Sequence, residues 1–323
     1  MRIVNLDTPA GWRVAAVEGD KVIDLNRARQ LSLSGGRMPT RAQREQADRD
    51  LPSAFGAWLA PGLAAALANA RGAVEAGATL LAQHGAGWAS SRQLAWPLTG
   101  AALAPPVAQG GTVLAIGLNY RSHAAEAKME IPKFPMVFTK PAPAVGGPLD
   151  PVIIPAASRR IDYEGEIVIV IGQRCREVSE EHALACVAGY TLGNDVSARD
   201  WQFRTTEMML GKAFDGFCPM GPWLVTADEL PDVAGLTLET RVNGDLRQTA
   251  PCSDMIFSVA KLVSYLSQVM TLEPGDAILT GTPAGIGATR DPRLWLAAGD
   301  RVEVTAGPLG TLSTIFAGAP AAR

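Results

Sequence analysis

A chain of 323 residues with 47% hydrophobic side chains can bury one substantial core and a smaller one, so two domains are expected. Only 19% of the residues are charged and the net charge is -3, which leaves no broad basic surface for a phosphate backbone and argues against nucleic acid as a partner. No apolar run approaches the roughly 20 residues of a membrane helix, and Met1-Arg2-Ile3-Val4-Asn5 opens no long apolar segment, so a cytoplasmic protein without a membrane partner is expected.

From Val14 to Leu25, two short apolar strands flank a Gly19-Asp20 turn. Residues 27–51 are polar and arginine-rich and read as a surface excursion. Residues 62–83 are dominated by alanine and leucine, with Arg71 and Glu75 one turn apart, and are expected to form a helix. Pro105-Pro106 and Gly110-Gly111 then punctuate the chain. The expected division is an N-terminal α+β domain with a helical insertion over 1–105 and a β-rich domain over 106–323. Within the second, β-branched strands are expected at 113–116, 136–139, 166–171, 190–196, 236–242, 277–280 and 301–304. Asn243-Gly244 signals a two-residue hairpin turn. One helix is expected after the N-cap Ser179, and another carries Val259, Leu262, Val263, Leu266 and Met270 at helical spacing.

Cys175, Cys186, Cys218 and Cys252 include no pair two residues apart and no histidine at zinc-ligand spacing, so they read as reduced, buried apolar side chains. Glu164 and Glu166 stand two apart at the start of an apolar strand, where both carboxylates share a face with only Gly165 between them. Asp195 ends another apolar strand. Three such acids suit a hard divalent cation and leave about half of an octahedral shell open; the alternative is a solvated strand edge. His123 and Glu126, three apart on a helix, can act as an oriented general base or make a plain surface contact. His84 and His182 are read as structural. The loop Gly281-Thr282-Pro283-Ala284-Gly285-Ile286-Gly287 fits neither a dinucleotide nor a P-loop pattern. Its N–H groups and the Thr282 hydroxyl can hold a substrate carboxylate, or the loop can be a structural glycine turn. Residues 117–134 begin at a strand end and close on Pro132 and Pro135, which suggests a lid between hinges.

In this order the pieces resemble the catalytic domain of the fumarylacetoacetate hydrolase family, in its acylpyruvate hydrolase and 2-oxohepta-3-ene-1,7-dioate hydratase-isomerase-like branch. The resemblance rests on 117–126, Phe138-Thr139-Lys140-Pro141, 162–166, 194–202, Gly211-Lys212-Ala213-Phe214-Asp215, Pro219-Met220-Gly221-Pro222-Trp223 and 281–287. It implies an α+β, mainly β fold: a mixed β-sandwich or β-roll with a smaller N-terminal α+β domain, usually paired as a homodimer. It also implies that Glu164, Glu166 and Asp195 bind Mg2+ or Mn2+, and that His123 and Glu126 activate water from a lid. Lys212 then stabilises an oxyanion, and Arg199, Gln202, Thr282 and Tyr120 contact a small keto acid substrate. The implied reaction is hydrolysis of a C–C bond in a 2,4-diketo acid to a carboxylic acid and a pyruvate-type product. Decarboxylation, isomerisation or hydration of a related keto acid is the alternative, with a non-catalytic metal-binding relative as a third. Gly216 departs from the pattern, since many relatives carry threonine there.

Overall fold

The computed structural model describes residues 1–319. Strands β1 (Arg2–Thr8), β2 (Gly11–Glu18) and β3 (Lys21–Asp24) open the chain, and the Gly19-Asp20 turn pairs Glu18 with Lys21. Helices α1 (Leu25–Leu33), α2 (Arg41–Asp50) and α3 (Leu63–His84) follow. The stretch 27–51 is therefore not a surface excursion. Leu25, Ala28 and Leu31 recur every third residue and bury one face of α1, while Arg29 reaches out to Asp50 at 2.7 Å. Buried Asn26 donates to Asp48 at 2.9 Å and to the Leu51 carbonyl at 2.8 Å, so its amide is satisfied.

After β4 (Ala95–Pro97) come β5 (Val113–Gly117), helix α4 (Arg121–Glu126), β6 (Met136–Thr139), β7 (Gly165–Ile171) and β8 (Val187–Asn194). Helix α5 (Arg199–Gln202), β9 (Cys218–Thr226), the hairpin β10 (Thr237–Val242) and β11 (Asp245–Pro251), and helix α6 (Val259–Val269) continue the chain. It ends in β12 (Ala277–Leu279), β13 (Arg301–Thr305) and β14 (Thr311–Gly318). The architecture is α+β and mainly β. A 12-stranded sheet has the main order β4-β3-β2-β1-β9-β8-β7-β12-β5-β6, and a five-stranded sheet has β11-β10-β13-β14 followed by Val152–Ile154.

Strand β7 is buried along its whole length and shows how the two layers share it. Ile167, Ile169 and Ile171 face one core together with Leu262 and Leu266 of α6, and Val168 and Val170 face another with Leu31 of α1. That second core also takes Ile3 and Trp58, and β1 pairs directly with β9 through Arg2↔Val225 and Ile3↔Leu224. Sheet and core thus run across the division expected near residue 105. Strand β9 went unread because Pro219, Gly221 and Pro222 give it the composition of a turn. The Asn243-Gly244 turn joins β10 and β11 with φ of 54° and 88°, the left-handed pair such a hairpin requires. The helix after Ser179 is only Glu180–Ala183, and Met270 caps α6 rather than lying within it. All four cysteines are buried and free. Among the described residues, no helix is long and apolar enough to cross a membrane.

Candidate active site

Asp162 and Glu164 lie at alternate positions just ahead of β7 and Glu166 lies within it, and β8 stops at Asn194, which frees Asp195 from the ladder. The Asp195 N–H donates to the Glu164 carbonyl at 2.8 Å, and the Glu164 N–H donates to the Asn194 side chain at 3.0 Å. These bonds fix two carboxylates on one small piece of backbone. Gly165 is needed between them because a Cβ there would collide with Thr240 Oγ1 of the second sheet. One oxygen from each of Glu164, Glu166 and Asp195 lies within 4.8 Å of the others, and all three side chains are buried.

Three cations answer this charge. Lys212 Nζ donates to Glu164 Oε2 at 2.8 Å and to Asp195 Oδ2 at 2.7 Å. Lys140 Nζ donates to Asp195 Oδ1 at 2.7 Å and to the Phe217 carbonyl at 2.8 Å. The Arg199 guanidinium spans Asp162 at 2.8 Å and Glu164 at 2.7 Å, and also donates to Gln202 Oε1 at 2.8 Å. Burial opposes charge at Glu164, yet Lys212 and Arg199 hold its carboxyl down at about 2. Glu166 goes the other way: burial, then the charges of Asp195 and Glu164, push it well above the usual carboxylate range. Burial disfavours the Lys212 ammonium, but Asp195 and Glu164 outweigh it and raise its pKa.

This donor set fits a hard divalent cation. Its ligating atoms are all oxygen, with no sulfur or imidazole in the cluster. Among the described residues, four buried carboxylates, Asp162, Glu164, Glu166 and Asp195, face the three cations Lys140, Arg199 and Lys212, so with all four ionised one negative charge is left over. A divalent ion relieves the repulsion from Asp195 and Glu164 that adds to burial in raising the Glu166 carboxyl.

A cavity of about 420 Å³ opens onto this cluster, and His123, Glu164, Asp195, Arg199, Gln202, Lys212 and Thr282 all contribute to its wall. His123 comes from α4, whose base is held by the Ser122 N–H on Asp254 at 3.0 Å and by Arg121 on the Met255 carbonyl at 2.7 Å. Its Nδ1 lies 3.6 Å from Glu126 Oε2, which is ion-pair distance and too long for a hydrogen bond. Glu126 is better engaged elsewhere, because both its oxygens accept the Gly285 N–H at 3.0 Å. Burial works against its charge, but these contacts hold its carboxyl below the ordinary value. The expected lid is thus fastened to the 281–287 loop and to Asp254. Beyond it, Met129, Ile131 and Phe134 stand exposed.

Three expected substrate contacts look different in the structure. Tyr120 does not reach the cavity; its ring is fully buried in the core near Cys252 and Met255, because α4 starts with its back to that layer. The Thr282 hydroxyl donates to the Gly165 carbonyl at 2.9 Å and accepts from Gln248 at 2.8 Å, so its proton is committed within the protein. Arg199 is 5% exposed and mostly engaged with carboxylates. Gly216 sits at φ 73°, a backbone that disfavours a β-branched residue, and does not line the cavity.

Sequence reasoning missed Asp162, Lys140 and Gln248. Asp162 accepts the Gly287 N–H at 2.7 Å as well as Arg199, and the alternation Asp162, Glu164, Glu166 was its available signal. Lys140 carried a weaker one, a lone charge ending the strand 136–139. Gln248, which accepts the Gly165 N–H at 3.1 Å from a distant hairpin, carried none.

A buried, oxygen-only acidic triad with counter-cations, opening on a cavity that holds a histidine, defines a candidate metal-dependent active site. The chain belongs to the fumarylacetoacetate hydrolase family: residues 112–316 match the family profile described as fumarylacetoacetate (FAA) hydrolase C-terminal. It is 43% identical to the mitochondrial oxaloacetate tautomerase fahd2 of Xenopus laevis over 65% of this chain and 67% of that protein. It is 48% identical to a 2,4-didehydro-3-deoxy-L-rhamnonate hydrolase of Sphingomonas sp. over 64% of this chain and 73% of that protein. Among solved structures, maleylpyruvate hydrolase from Sphingobium sp. SYK-6, in complex with manganese(II) and pyruvate, superposes with a TM-score of 0.71 at 29% identity, covering 99% of this chain and 100% of that one.

Proposed function

We propose that this protein hydrolyses a C–C bond of a small 2,4-diketo acid in a magnesium- or manganese-dependent reaction that yields a carboxylic acid and pyruvate or a close analogue. The observation that carries the reading is the joint presence, around one cavity, of the acidic triad, the His123 imidazole and the Lys212 ammonium. Glu164, Glu166 and Asp195 would hold the cation, which would supply Lewis acidity to the keto acid head. His123 takes a proton from water as its oxygen attacks the distal carbonyl. The bond between that carbonyl carbon and the methylene then breaks, the electron pair leaves with the pyruvate part, and the methylene carbon takes the water-derived proton held on His123. Lys212 uses two N–H groups on Glu164 and Asp195, which leaves its third for the oxyanion of the attacked carbonyl. Arg199 acts chiefly by fixing Glu164, and the Gln202 amide lies beside it on the cavity wall.

Tautomerase relatives share this family, so product identity is the test. From an acylpyruvate and magnesium-loaded protein, equal amounts of carboxylic acid and pyruvate are expected by NMR. Rapid interconversion of keto and enol forms of the substrate without cleavage would overturn the hydrolytic reading.

A further inference from the structure

Gln248 of β11 does not line the cavity, yet its side chain is tied to the backbone that carries two of the acids. It is 1% exposed. Its amide oxygen accepts the Gly165 N–H at 3.1 Å, and its nitrogen donates to Thr282 Oγ1 at 2.8 Å and to the Pro283 carbonyl at 2.9 Å. Both N–H donors and the carbonyl of the amide are thus in use, and only one orientation of the group serves all three partners.

Gly165 separates Glu164 from Glu166, and without a side chain it leaves that piece of backbone free to move unless its polar groups are held. The ladder to β8 holds one flank: the Glu164 carbonyl accepts the Asp195 N–H at 2.8 Å, and Glu166 pairs with Gly193. Both polar groups of Gly165 itself depend on Gln248. Its N–H is bound directly, and its carbonyl is bound through Thr282, whose hydroxyl donates to it at 2.9 Å. The same amide steadies the segment that reaches the second acid. The Gly281 N–H donates to Glu166 Oε2 at 2.6 Å, and Thr282 and Pro283 are the next two residues along the chain.

Resting on the metal-dependent reading proposed above, we infer that Gln248 is a positioning residue for the metal centre. Acting through Gly165 and Thr282, it sets the spacing of the Glu164 and Glu166 carboxylates and the seat of the 281–283 segment on Glu166. A hairpin of the second sheet thereby fixes the geometry of a site built on the first.

Metal affinity separates this role from a merely structural one, since any buried amide adds stability. Calorimetry would follow Mn2+ binding to full-length, chelator-stripped protein, with thermal unfolding as the check on folding. Gln248→Met keeps an unbranched side chain but leaves the Gly165 N–H and the Pro283 carbonyl without their partner. Mn2+ should bind about tenfold to a hundredfold more weakly, the usual worth of a group that orients metal ligands from behind. Thr282→Val, similar in shape, cuts only the link to the Gly165 carbonyl, so its loss should be measurable but smaller. Because both act on one piece of backbone, the double variant should fall short of the product of the single effects. Asn26→Ala removes a different buried amide, bound to Asp48 and Leu51 in the N-terminal layer, and should lower the Tm with Mn2+ affinity unchanged. Wild-type Mn2+ affinity in folded Gln248→Met or in Thr282→Val, or an equal loss in Asn26→Ala, would overturn the inference alone. Failure of the unmutated stripped protein to take up Mn2+ would overturn the functional reading and the inference with it.

Discussion

Asp195→Ala is expected to lose the divalent cation and catalytic turnover together. Asp195 is 1% exposed, and its two oxygens accept hydrogen bonds from the Lys140 and Lys212 ammoniums, each at 2.7 Å. Like Glu164, it pairs with two of the three buried cations. Removing it takes one donor from the triad and leaves the buried Lys140 ammonium without its carboxylate while Lys212 keeps Glu164, a change that costs about 3–5 kcal/mol of stability when a buried pair is broken. Asp195→Asn keeps the shape and removes only the charge, so it guards against a variant that merely unfolds. Mn2+ affinity should fall by about two orders of magnitude or more in a folded variant, since even groups behind the ligands are worth tenfold to a hundredfold. Thermal unfolding would certify the fold and calorimetry would read the metal. Unchanged Mn2+ affinity in folded Asp195→Asn would remove Asp195 from the metal site.

His123→Ala should behave differently, cutting kcat by roughly two to four orders of magnitude, the usual worth of a general base, with little change in Mn2+ affinity. Its side chain lines the cavity but makes no hydrogen bond to any of the three acids, and its Nδ1 has no hydrogen-bond partner among the described residues. Because Nδ1 is buried and turned toward Glu126, Nε2 is the nitrogen left to take a proton from water. Glu126 stands 3.6 Å away and is clamped to Gly285, so it is better suited to stabilise an imidazolium once formed than to hold the neutral ring in place. A companion measurement is Glu126→Gln, which keeps the size of the clamp and should lower kcat by less than His123→Ala. If His123→Ala retained full kcat, the proton would have to leave the water by another route.

Much of this site could be read from the chain, because its chemistry is concentrated in local patterns. Glu164 and Glu166 are neighbours by strand alternation, and His123 and Glu126 by helical spacing; both pairs needed only a period. Asp195 was legible as an acid ending an apolar strand. What stayed hidden depends on long-range contacts. Gln248 reaches Gly165 from the far end of a hairpin, and β1 supplies a neighbour to β9 more than two hundred residues away. Neither leaves a periodic mark. The burial of Arg199 requires Asp162 and Glu164 as partners, a condition set only when Ser197-Ala198 pairs with Ile161-Asp162. Tyr120 failed in the opposite direction: its sequence neighbours belong to the site, but its own side chain turns into the core. The helices over 27–51 were obscured by arginines that decorate the outside of an apolar triplet.

The central claim is that the buried acidic triad holds a divalent cation on which the chemistry depends. The most direct measurement strips the protein with a chelator, removes the chelator and follows cleavage of an acylpyruvate as single metals are returned. Activity should be absent in the stripped protein and restored by magnesium or manganese at about one ion per chain, as an all-oxygen site requires. Full turnover in stripped protein with chelator present, or restoration by zinc alone, would contradict the account.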